Sequence, residues 1–100
     1  SFKERRDFVV KSLNNIDGIS CLKPNGAFYV FPNCKKLLNK RTKLKKDTDF
    51  VQKLLEKQNV AAVQGSAFGL DGYFRISYAT SMVKLKIAMS RIKKFCEDLG

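Results

Sequence analysis

The chain is predicted to fold as an α/β unit of two layers: a small mixed or antiparallel sheet of about three strands with three helices packed on it. Three observations carry that expectation. Apolar residues recur at spacings of three and four in three separate stretches. Between these stretches lie short apolar or alternating runs bounded by Pro, Asn and Gly. The last two such runs are joined by a loop too short for a helical crossover, which favours antiparallel pairing.

The first helix is expected over residues 2–16. Phe2, Val9, Leu13 and Ile16 fall near one stripe with Phe8 beside it, and Lys3, Glu4, Arg5 and Asp7 lie mostly elsewhere. Asn14, Asn15, Asp17 and Gly18 supply the stop. Residues 19–22 could add one more short strand. Pro24-Asn25-Gly26 is a turn signal, because Pro presets one dihedral and Asn or Gly accepts positive φ. The run 27–31, AFYVF, reads as a strand covered on both faces, with Tyr29, Val30 and Phe31 in the core, and Pro32 ends it.

Residues 33–46 are dense in lysine and low in complexity, and they read as a solvated loop or a short frayed helix. Asp47 or Thr48 then caps a helix over 48–58, with Phe50, Val51, Leu54 and Leu55 as its apolar stripe. A buried strand is expected over 60–63. Residues 65–72, GSAFGLDG, carry three glycines and read as a sharp connection between strands. They lack GxxxxGK[ST] and do not lead into a helix, so a P-loop is unsupported. A strand over 73–79 follows. Thr80 or Ser81 caps the last helix, 81–99, whose stripe is Met82, Leu85, Ala88, Met89, Ile92, Phe95, Cys96 and Leu99.

One hundred residues make one domain at most, and a hydrophobic fraction of 44% is ordinary for a globular chain. No apolar run approaches the roughly 20 residues needed to span a bilayer. The chain has no initiator Met and opens directly on a helical pattern, so it is expected to be a fragment of a longer protein. Cys21, Cys34 and Cys96 are too few and too widely spaced for a disulfide framework or a zinc knuckle, which suits a reducing cytoplasm. Histidine is absent, so this chain holds no Ser-His-Asp or Cys-His triad and no His-ligated metal. The net charge of +11 makes a basic nucleic-acid-binding module the alternative reading. Against it, the aromatics sit in apolar runs rather than on a basic face.

The candidate site residue is Arg75. Alternation along 73–79 sends Phe74, Ile76 and Tyr78 to one face and Tyr73, Arg75, Ser77 and Ala79 to the other. A planar guanidinium among small polar groups suits a carboxylate. An arginine on the solvated face of a half-buried strand has the same spacing.

Order and spacing together then mark a family. KPNGAFYVFP at 23–32, VAAVQGSAFGLDGYFRISYATS at 60–81 and RIKKF at 91–95 resemble the C-terminal small domain of class I/II pyridoxal-phosphate-dependent aminotransferases, the aspartate aminotransferase branch in particular. The resemblance covers nearly the whole chain and is most specific in GAFY (26–29), GSAFG (65–69) and FRISYATS (74–81). One departure is Gln64, where the family more often has proline.

The resemblance implies that Arg75, followed by Ser77, binds the α-carboxylate of an amino-acid substrate. It implies that Gly26 and Phe28 lie in the wall near the substrate, although a core role fits them equally. It implies a parent enzyme, cytoplasmic and homodimeric, that moves an amino group between an amino acid, aspartate by preference, and a 2-oxo acid. Pyridoxal 5'-phosphate would be bound mainly by a large domain absent from these residues, together with the Schiff-base lysine. No catalytic, cofactor-binding or metal-ligating residue is expected in this chain, no nucleic-acid or membrane partner is expected, and the 100 residues alone are expected to fold without catalysing.

Overall fold

The computed structural model describes residues 1–99. Helix α1 (Phe2–Asn14) starts where the Ser1 hydroxyl accepts a hydrogen bond from the Glu4 amide, 3.3 Å. It buries Val9 and Leu13, and Ile16 enters the core just beyond it. The helix stops two residues short of the expected end. Asn14 turns its side chain to both backbone groups of Cys21, each at 2.8 Å, which pins the returning chain. Phe2 leaves the expected stripe: it is 48% exposed and rests on the Phe28 ring, 4.8 Å between centroids. Residues 19–22 form no strand, only a bridge from Ser20 to Asn33, although Ile19 and Cys21 are buried.

The sheet is antiparallel throughout. Strand β1 (Tyr29–Val30) and strand β2 (Val63–Gln64) flank strand β3 (Phe74–Ser77) in the order β1-β3-β2. Tyr29 pairs with Ser77, Val30 with Ile76, Val63 with Arg75, and Gln64 with Phe74. Among the described residues, the face of Phe74, Ile76 and Tyr78 is the one turned to the core and packed by Phe50 of the next helix, Asp47–Gln58. The expectation of a doubly covered β1 therefore fails: Val30 is buried, but Tyr29 is 40% exposed and Phe31 only half-buried. The expected strand at 60–63 is displaced towards its C-terminal end. Val60 is buried, but pairing begins only where Val63 reaches Arg75.

Helix α2 (Asp47–Gln58) buries Phe50 and Leu54, and Leu55 falls off the stripe at 50% exposure. It ends at Asn59, which takes the left-handed conformation with φ 55°. Neither Asp47 nor Thr48 caps it. Lys46 precedes the first turn, and the Asp49 carboxylate accepts the Lys45 and Lys46 amides at 3.1 and 3.0 Å. Those bonds, Lys46 first, hold the Asp49 carboxyl below the usual carboxylate range. Helix α3 (Met82–Asp98) is capped by Ser81, whose hydroxyl accepts the Lys84 amide at 3.2 Å. It buries Leu85, Met89, Ile92, Phe95 and Cys96, as the stripe predicts.

The centre of the core is aromatic. Phe50 of α2 lies 4.9 Å from Phe74 of β3 and 5.3 Å, edge-on, from Phe95 of α3. The basic segment 33–46 is also tied into this core rather than solvated along its length. Cys34, Leu37 and Leu44 are buried, and Lys35–Leu37 makes a single 3₁₀ turn. The buried Thr42 hydroxyl donates to the Leu37 carbonyl at 2.7 Å and accepts the Leu44 amide at 3.3 Å. The lysines of that segment point outward, so composition misreads a segment whose few apolar side chains anchor it.

Candidate functional site: Arg75 on the open face of the sheet

Strand alternation works as expected along β3. Phe74, Ile76 and Tyr78 are buried, whereas Arg75 is half-buried and Ser77 exposed on the opposite face. The buried Tyr78 hydroxyl donates to the Ala27 carbonyl and so ties the GAFY segment to the end of β3. The exposed Ser77 hydroxyl accepts the Ala79 amide at 3.1 Å, turning the chain towards Ser81.

Arg75 is held by aromatic rings. Its guanidinium carbon sits 4.4 Å from the centroid of Tyr29 and 4.6 Å from that of Phe68. Cation–π contact of this kind contributes on the order of 0.5–2 kcal/mol, more as water is excluded. These contacts leave the N–H groups, the part that recognises a carboxylate bidentately, without an ion-pair partner among the described residues. The acidic groups that form such pairs lie elsewhere. A held guanidinium with an unspent donor edge is what anion capture requires.

The two rings come from the motifs at 26–29 and 65–69. Tyr29 stands opposite Ser77 in the register, next to Arg75 across the sheet. Phe68 ends the 3₁₀ turn Gly65–Phe68, and Gly69 follows with φ 76°, a conformation that favours glycine. Phe31 meets Phe68 edge-on at 5.8 Å and extends the aromatic face. Phe28, expected in the substrate wall or the core, is 49% exposed and packs between Phe2 and Tyr78. Within GAFY it is Tyr29 that touches Arg75. Gly26 makes the turn, with φ 70°.

Sequence reasoning missed Asp47. Its carboxylate is 3% exposed and accepts three hydrogen bonds from the 65–72 loop: the Ser66 amide at 3.0 Å, the Ser66 hydroxyl at 2.9 Å and the Gly72 amide at 3.0 Å. These partners lie 19 and 25 positions away, so only the local capping pattern was visible in the sequence.

A pyridoxal phosphate seat needs a lysine in a desolvated setting and free donors for a phosphate. The residues of this chain do not fit that need. Every lysine is exposed. In the glycine-rich loop, Asp47 takes the Ser66 and Gly72 amides, and backbone carbonyls take those of Gly65, Gly69 and Leu70. Among the described residues no cluster of His, Cys, Asp or Glu is arranged to hold a metal ion, and no helix is long and apolar enough to cross a membrane.

Comparison with known proteins fixes the family. The model of the family described as aminotransferase class I and II matches residues 1–92. The chain belongs to that family. It is 53% identical over 104 residues to the aspartate aminotransferase of Rhizobium meliloti (strain 1021), covering 100% of this chain and 25% of that protein. The crystal structure of the Rhizobium meliloti aspartate aminotransferase superposes with a TM-score of 0.92 at 53% identity, over 96% of this chain and 25% of that one. An alanine aminotransferase from Pyrococcus furiosus superposes with a TM-score of 0.88 at 40% identity, over 97% of this chain and 24% of that one. The chain thus spans about a quarter of the length of the curated relatives it matches.

Proposed function

We propose that this chain is the C-terminal small domain of a pyridoxal-phosphate-dependent aminotransferase, and that Arg75 captures the α-carboxylate of its amino-acid and 2-oxo-acid substrates. The observation that carries the reading is the guanidinium clasped between Tyr29 and Phe68 with its donor edge unspent. Two ring contacts restrain the guanidinium before substrate arrives, so less ordering remains to be done on binding. A carboxylate held on that edge has its α-carbon placed, and placing a reactant is a large part of lowering a barrier.

Aspartate is the substrate we favour, on the strength of the Rhizobium relative. The parent is taken to be a cytoplasmic homodimer, as the family resemblance suggests. The cofactor, which supplies the electron sink for transamination, is assigned to residues outside this chain, in line with the exposed lysines here. The 100 residues alone therefore fold without catalysing.

The test is transamination by the full-length protein that carries this chain. With L-aspartate and 2-oxoglutarate, a coupled oxaloacetate assay is expected to show turnover that depends on added pyridoxal phosphate. Turnover with another amino acid but not aspartate would overturn the substrate. No transamination of any amino acid by the cofactor-loaded protein would overturn the function.

A further inference from the structure

The geometry points to Asp47 as a positioning residue for carboxylate capture, acting on Arg75 through the 65–72 loop and Phe68. The inference rests on the proposed role of Arg75 and names a residue that tunes it. Asp47 opens α2, yet its carboxylate turns away from its own helix and closes the mouth of the loop, holding Ser66 at one end and Gly72 at the other. The loop is otherwise closed on itself: the Gly65 amide donates to the Tyr73 carbonyl at 2.7 Å, the Leu70 amide to the Gly65 carbonyl at 2.9 Å, and the Tyr73 amide to the Leu70 carbonyl at 3.2 Å.

Phe68 sits between those anchors and is the loop's contact with Arg75. It is 46% exposed, so core packing does little to hold it. Its place over the guanidinium depends on the shape of the loop, which the backbone bonds among Gly65, Leu70 and Tyr73 and the Asp47 bonds to Ser66 and Gly72 set together. Tyr29 covers the guanidinium from a sheet strand and does not need Asp47. Losing Asp47 therefore frees one side of the clasp and leaves Arg75 able to leave the orientation that receives a carboxylate. Geometry alone suffices for this role. An amide at position 47 can accept both loop amides with its oxygen and donate to the Ser66 hydroxyl with its nitrogen.

The experiment uses the cofactor-loaded full-length protein, with steady-state kinetics for L-aspartate at saturating 2-oxoglutarate. Asp47→Ala is expected to raise KM by about two- to thirtyfold, the worth of one cation–π contact, with kcat per folded enzyme changed far less. Asp47→Asn restores KM to within about threefold of the unmodified protein, since only charge is lost while the bonds remain. In a Phe68→Ala background, Asp47→Ala adds no further rise in KM. Should Asp47→Ala fail to fold, Ser66→Ala removes one of the three bonds at an exposed loop position and is expected to raise KM by about two- to twelvefold.

A merely structural Asp47 would lower the yield of active enzyme and leave KM where it was. That result, or additive effects of Asp47→Ala and Phe68→Ala, overturns the inference. Arg75→Ala serves as the reference. If it raises KM while Asp47→Ala and Ser66→Ala do not, the inference falls and the role of Arg75 stands. If Arg75→Ala leaves KM unchanged, the role of Arg75 falls first.

Discussion

Removing the guanidinium of Arg75 should cost the full-length enzyme a defined amount. Arg75→Ala deletes the donor edge that would pair with the substrate carboxylate and leaves Tyr29 and Phe68 facing a gap. A hydrogen bond to a charged group contributes on the order of 1.5–3 kcal/mol, equivalent to roughly ten- to over a hundredfold in kcat/KM. Arg75→Lys keeps a cation but loses the planar fork and most of the stacking, so it should fall between Arg75→Ala and the unmodified protein. The assay is initial-rate kinetics over a range of amino-acid concentrations, with the cofactor absorbance recorded on the same samples. Because Arg75 lies on the face of the sheet opposite the core, cofactor content should survive both substitutions. Unmodified kcat/KM in Arg75→Ala would refute the reasoning. So would a loss explained entirely by missing cofactor, since that would make Arg75 a structural residue.

Three further outcomes follow from the fold. Phe50→Ala empties the centre of the Phe74–Phe50–Phe95 stack and should cost about 3–5 kcal/mol, read as a lower urea midpoint, with an unchanged midpoint counting against this packing. Gly65→Ala would place a Cβ 2.3 Å from the Leu70 carbonyl oxygen and 2.7 Å from that of Tyr73, so the loop must open. Its KM for aspartate should rise as it does for Asp47→Ala, and a normal KM would show that the loop tolerates the distortion. The three cysteines are free and buried, and burial pushes Cys34 and Cys96 up to about 12 and Cys21 to about 11 from 9.0. The folded state thus keeps these protons longer than the unfolded chain does, and their contribution is complete below about pH 9 and lost between about pH 9 and 12. A disulfide reagent at pH 8 should react slowly with all three until denaturant is added, and rapid labelling of the folded protein would contradict their burial.

The elements that hold the core were legible in the sequence because their information is local. The α3 stripe and the Phe74–Ile76–Tyr78 alternation follow from one period each, and the structure buries all three of the latter and Leu85, Met89, Ile92, Phe95 and Cys96 of the former, with Met82, Ala88 and Leu99 half-buried. Errors arose where a residue's fate is decided by distant chain. AFYVF looks like a strand buried on both faces, but alternation buries Val30 and leaves Tyr29 to emerge beside Arg75. The lysine-rich 33–46 segment looks solvated, but Cys34, Leu37 and Leu44 anchor it. Asp47 looks like a helix cap because aspartate near a helix start usually is one. What turns it inward is a pair of loop amides whose approach no local pattern encodes.

The same division accounts for how the site is built. Arg75 and Tyr29 sit on neighbouring strands, so the sheet register sets their contact and a change in a remote loop cannot undo it. Phe68 sits on a loop whose own side chains are largely exposed, so its contact has to be fixed by hydrogen bonds, and Asp47 supplies the ones that join the loop's ends. One side of the clasp is set by the sheet register, and the other by the loop's own backbone bonds together with the Asp47 carboxylate. A guanidinium stays protonated through the physiological range and cannot serve as acid or base. What such a clasp can contribute is orientation: a fork suited to a carboxylate, with the bond-making left to other groups. On that argument, substitutions at Tyr29 and Phe68 should differ in kind. Tyr29→Ala should weaken both capture and the β1–β3 edge, whereas Phe68→Ala should weaken capture alone.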